Sequence, residues 1–116
     1  MIKLQKIEVT EIESLQKLLC NFIALTSYRI GIYVRGSEEY LNDLLLLEIS
    51  QKMFYTFRSK VEKGCNKNTR NITLSVSEAV ILFKCCTDSM NNFTPYEIYI
   101  QEKYKNELHK QLVNIN

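Results

Sequence analysis

The chain has 116 residues, of which 46% are hydrophobic and 24% charged, with a formal net charge of +2. That length fits one domain, residues 1–116, with a core that needs no disulfide or metal staples. The small charge by itself implies no nucleic-acid or membrane partner, and three glycines and one proline are too few for the many turns of an all-β fold.

The N-terminus, MIKLQKIEVTEIESLQKLL, has no basic start followed by an unbroken apolar run, so no secretory signal is expected. No segment reaches the ~18 consecutive apolar residues of a membrane span. The expected location is the cytoplasm of the cell that makes the chain. Ile2 to Gln5 looks extended. Thr10-Glu11-Ile12-Glu13 then reads as a capping box, in which Thr10 accepts an amide and Glu13 reaches back. Ile12, Leu15, Leu19, Phe22, Ile23 and Thr26 follow at helical spacing. Tyr28 to Arg35 reads either as the end of this helix, the favoured reading, or as a strand of alternating Ile30, Ile32 and Val34.

Ser37-Glu38-Glu39 starts a second helix, with two acids where the helix dipole favours them. Its expected core stripe is Leu41, Leu44, Leu45, Ile49, Met53, Phe57 and Val61, with Gly64 as the stop. Leu46 and Leu47 fall outside that stripe. A polar loop leads to Asn71-Ile72-Thr73-Leu74, which also looks extended. Ser75-Val76-Ser77-Glu78 is a second capping box, opening a helix with Val76, Ala79, Val80, Phe83 and Cys86 on one side. Thr94-Pro95-Tyr96-Glu97 is the third box, and Pro95 sits where its missing donor costs nothing. Ile100, Tyr104, Leu108, Leu112 and Ile115 form the last stripe.

These elements predict an all-α domain, a compact bundle of four main helices near 11–34, 38–63, 76–89 and 95–113. The alternative is an α+β fold with a short strand pair near 2–5 and 71–74.

Little in the sequence points to catalysis. The single histidine, His109, lies in the last turns of a helix, where the dipole favours it. Serine-nucleophile motifs, glycine-rich phosphate loops and H-E-x-x-H are absent. Cys20, Cys65, Cys85 and Cys86 form no C-x-x-C pair, so no metal site is expected and the thiols read as small core groups. No cofactor is implied, and the chain is expected not to be an enzyme.

Charge is unevenly spread. Residues 36–51 hold four acids and no base, whereas residues 52–70 hold six bases and one acid, a local charge of +5. Helix polarity accounts for part of this. The sharper account is a phosphate or nucleic-acid patch formed by Arg58, Lys60, Lys63, Lys67 and Arg70.

The second and third helices are apolar nearly all round, and in a four-helix domain neither can be enclosed by the others. Some of Leu46, Leu47, Ile81, Leu82 and Cys85 are therefore expected to remain exposed in a monomer, and contiguous exposed apolar surface marks association sites. Tyr99 falls off its helix's core stripe and suits an interface. The expected function is a non-enzymatic interaction or assembly protein. Its interface would comprise Leu46, Leu47, Ile81, Leu82 and Tyr99, and its partner would be a second copy or another protein. The alternative is a nucleic-acid or nucleotide-binding module using segment 58–70.

The helix entry LSVSEA at Leu74 to Ala79, together with the small size and Asn/Lys/Ile-rich usage, resembles in style the small all-helical accessory proteins of bacteriophages and mobile elements. That resemblance implies an accessory, structural or host-defence-countering protein in a host cytoplasm. It carries over no functional residue.

Overall fold

Two strands open and divide the chain. The computed structural model describes residues 1–62, 69–87 and 93–115. Strand β1, Ile2–Glu8, pairs antiparallel with β2, Thr69–Leu74, in the register Ile2↔Leu74, Leu4↔Ile72 and Glu8↔Thr69. The all-α expectation is corrected here: the protein is mostly helical, but the strand pair of the α+β alternative is present and longer than expected.

A strand alternates its side chains between faces. From Ile2 and Leu4 inward, that alternation would next bury Lys6. A bulge between Leu4 and Ile7 shifts the phase by one, so Ile7 turns inward and Lys6 stays exposed. Lys6 takes φ 55, a left-handed backbone that non-glycine residues rarely adopt. Its N–H donates to the Asn71 side chain at 3.0 Å.

Helix α1, Val9–Ile32, begins directly at the end of β1. The expected cap at Thr10 is displaced, because the strand runs to Glu8 and Glu8 takes the capping position. Its N–H donates to Glu11 at 2.9 Å. Residues 28–32 continue the helix, and the strand reading of 28–35 does not hold. A turn with Gly36 at φ 83 leads into helix α2, Glu38–Glu62, where the Ser37 hydroxyl accepts from the Tyr40 N–H. Helix α3, Val76–Thr87, and helix α4, Pro95–Leu112, start with the boxes expected of them. Ser75 and Glu78 exchange hydrogen bonds of 2.8 and 3.2 Å, as do Thr94 and Glu97.

The core joins the sheet to the proximal half of the α1–α2 hairpin and to α3 and α4. Ile2, Leu4, Ile7, Leu15, Leu19, Met53, Phe57, Ile72, Leu74 and Leu108 are fully buried in it. Ile81 and Leu82, expected to remain exposed, are 2% and 0% exposed, and Cys85 is buried too. Helix α3 packs against α4, α1, α2 and β2 together, and these elements enclose its inner side. Val76 and Val80, expected inside, face out instead.

The phase of α2 is also corrected. Leu41, Leu44 and Leu45 are exposed, while Leu46 and Leu47 are half-buried, with Leu46 against the core. Met53 and Phe57 set the phase. Counting back from them by three and four reaches Ser50, Leu46, Leu47 and Asp43, which therefore face α1.

Candidate interaction surface

Hydrophobic side chains ordinarily fill the seam between two packed helices, with polar ones outside. The proximal half of the α1–α2 hairpin obeys this with Leu15, Leu18, Leu19, Phe22, Met53 and Phe57. The distal half inverts it. Between Ile23 and Ile49 the buried side chains are Thr26 and Asp43, both polar. Arg29 Nε donates to Asp43 Oδ2 at 2.9 Å, and Arg29 Nη2 reaches the Thr26 hydroxyl at 3.4 Å. Ser50, fully buried just beyond, donates to the Leu46 carbonyl.

Around this polar seam the outward side chains are large and apolar. Leu25, Tyr28, Ile32, Val34, Leu41, Leu44 and Leu45 are exposed by 38% at Leu44 to 78% at Val34. On α1, Leu25, Tyr28 and Ile32 form one stripe at spacings of three and four. Leu18 to Val34 contains a single charged residue, Arg29, and that one is paired. On α2, Leu41 and Leu45 lie two residues either side of Asp43. They therefore point about 160° away from the side that faces α1.

The sequence-chosen interface residues divide. Tyr99 is exposed and Leu46 and Leu47 are half-buried, whereas Ile81 and Leu82 belong to the core. The structure does not bring the five to one surface. The exposed set at 25–45 was missed because its leucines were placed on the core stripe. Asp43 and Ser50, at a helical spacing of seven, were the signal that the stripe ran elsewhere.

The basic segment is partly engaged within the fold. Arg58 Nε pairs with Glu62 at 2.8 Å, which raises the guanidinium's affinity for its proton. Arg70 Nε donates to the Lys60 carbonyl at 3.1 Å, tying β2 to the end of α2. Lys60 is half-buried. Lys63 and Lys67, like Cys65 and Gly64, lie outside the described residues.

A cleft of about 520 Å³ runs between β1 and α4 and is lined by Lys3, Lys6, Lys103, Tyr104, Glu107 and Gln111 among others. Beside it Glu11, 3% exposed, accepts from the Glu8 N–H, from the Tyr104 hydroxyl at 2.9 Å and from the Lys103 ammonium. Burial alone would raise the Glu11 carboxyl. The hydrogen bonds from Lys103, the Glu8 N–H and Tyr104 together outweigh it and hold the carboxyl below its ordinary range. The Glu11 carboxylate raises Lys103, and burial followed by the same carboxylate raises Tyr104. Gln111 lies along the open edge of β1, accepting from the Lys3 N–H at 3.1 Å and donating to the Lys3 carbonyl at 2.9 Å. It also donates to Glu107.

His109 packs its ring against Phe83, centroids 6.0 Å apart. Cys85 and Cys86 are buried free thiols, and burial pushes the Cys86 thiol up to about 12. Among the described residues no group of three or more His, Cys, Asp or Glu is placed to hold a metal ion, and no helix is long and apolar enough to cross a membrane. No protein-family model, no curated protein and no solved structure matches the chain.

Proposed function

We propose that this chain is a non-enzymatic interaction protein that docks on a protein partner through the distal half of its α1–α2 hairpin. The observation that carries this reading is the inverted packing there, with Thr26, Asp43 and Arg29 toward the seam and Leu25, Tyr28, Ile32, Leu41 and Leu45 toward solvent. Exposed apolar side chains concentrated in one region mark association surfaces. Beside the cleft, Glu11, Lys103 and Tyr104 hold one another in their resting protonation states, which supports a structural role for these three. The phosphate-binding alternative loses support because Arg58 and Arg70 already hold partners within the fold. The likeness in style to accessory proteins of bacteriophages and mobile elements accords with a partner-binding role.

The test compares the chain with its Ile32→Glu/Leu45→Glu variant in light scattering and in capture of other proteins. Both positions are already exposed, so the melting temperature should hold within a few degrees. Association by the parent chain and its loss in the variant is the expected result. A parent chain that stays monomeric and captures nothing, or a variant that associates as the parent does, overturns the reading.

A further inference from the structure

The outer side of α2 carries a second regularity. Leu41, Leu45, Glu48, Lys52 and Tyr55 recur at spacings of four, three, four and three and so lie along one face of the helix. All five are exposed. Glu48 and Lys52 form an ion pair of 3.4 Å at the middle of this face. Charge is polar along the helix. The early part holds Glu38, Glu39 and Glu48, and the later part holds Lys52, Arg58 and Lys60 against Glu62.

We propose that a second copy of this chain covers this face, with the two α2 helices antiparallel about a two-fold axis midway between Glu48 and Lys52. The proposal rests on the interaction reading above and names its partner. An antiparallel pairing lays the acidic end of each helix along the basic end of the other, whereas a parallel pairing would align like charges. It places Glu48 of each copy beside Lys52 of the other. It also brings Leu41 of each copy to the hollow of about 380 Å³ bordered by Tyr55, Arg58, Ser59 and Glu62 on the other. The surface is self-complementary, as a two-fold interface must be.

Its extent fits a modest dimer. The 25 residues of α2 span roughly 37 Å of helix about 10 Å wide, about 370 Å² per copy and roughly 740 Å² for the pair, which is below the range of stable specific interfaces and suits a weak, transient pair. With so few apolar anchors a weak pair is expected, with a dissociation constant on the order of 100 µM. An anionic lipid surface or a nucleic acid is disfavoured as the occupant, because residues 36–51 carry four acids and no base.

Charge reversal provides the test. The chain, Glu48→Lys and Lys52→Glu are each followed by sedimentation equilibrium from about 1 to 500 µM, and the two variants are then mixed in equal amounts. The parent chain should pass from monomer to dimer. Each variant alone places like charges across the two-fold and should dimerise at least tenfold more weakly. The mixture should recover the parent's affinity as a heterodimer, identified by native mass spectrometry. Circular dichroism checks that the variants remain folded, since each loses only an exposed ion pair.

A parent chain monomeric over the whole range, variants that dimerise like the parent, or a mixture without recovery overturns the proposal. A monomeric parent that still captures a different protein through Leu45 sinks the self-pairing alone and leaves the interaction reading standing. Binding of the chain to phosphatidylserine vesicles in place of dimerisation overturns the self-pairing as well.

Discussion

The two halves of the α1–α2 hairpin belong to the same two helices and follow opposite rules. Near the sheet the helices meet through Leu15, Leu19, Phe22, Met53 and Phe57, all buried. Farther out they meet through Thr26, Arg29 and Asp43, while their leucines face water. Burial of apolar area at roughly 25 cal/mol per Å² stabilises the first half. The second half gains little of this, and its net polar contacts contribute about 1 kcal/mol each. Helical continuity from the proximal half carries it, because propagating a helix is far easier than nucleating one. The buried apolar core and the largest share of exposed apolar side chains thus fall on different lengths of the same pair of helices.

That contrast predicts a graded series of effects. The largest belongs to the proximal half: Phe57→Ala empties a fully buried site and should cost about 3–5 kcal/mol in chemical denaturation. An effect near that of a surface change would mean that the proximal core is not where stability resides.

Glu11→Gln should cost less, about 2 kcal/mol, because it removes the charge on which Tyr104 and Lys103 converge while Lys103 stays half-exposed. The effect depends on pH. The folded Glu11 carboxyl lies below its ordinary 4.5, so its contribution is present above about 4.5 and is lost as pH falls through the lower folded value. Lys103 is raised above 10.5, so its share is present below 10.5 and is lost as pH rises through the higher folded value. Stability measured from pH 3 to 6 should show a shallower acid loss in the variant than in the parent.

The smallest effect belongs to the distal half. Asp43→Ala leaves Arg29, about a third exposed, without its partner and should cost about 1 kcal/mol. Hydrogen exchange should rise at residues 25–47 and stay unchanged around Leu15 and Leu82. A uniform rise across the chain would merge the two halves into one cooperative unit.

What the sequence disclosed depended on how local the cause was. The boxes at Ser75 and Thr94 need four consecutive residues and were legible. The box at Thr10 was misplaced because the strand before it, which runs on to Glu8, is fixed by a partner more than sixty residues away. The same distance left the pairing of residues 2–5 with 71–74 as the alternative fold, although both segments read as extended. The phase of α2 was hidden differently. Hydrophobicity favoured Leu41, Leu44 and Leu45 as the inner stripe, yet Asp43 and Ser50 take the inner positions because Arg29 and the Leu46 carbonyl give them partners. A polar seam leaves no hydrophobic periodicity to read, so the exposed leucines of α2 were placed on its inner stripe.

The side chain of Gln111 has one more consequence. By taking up both the N–H and the carbonyl of Lys3, it stands in for a third strand one residue long. Open strand edges are where chains add to one another without limit, toward fibrils or swapped strands. At Lys3 that route ends on α4. Addition of a further strand to β1 is blocked at that residue.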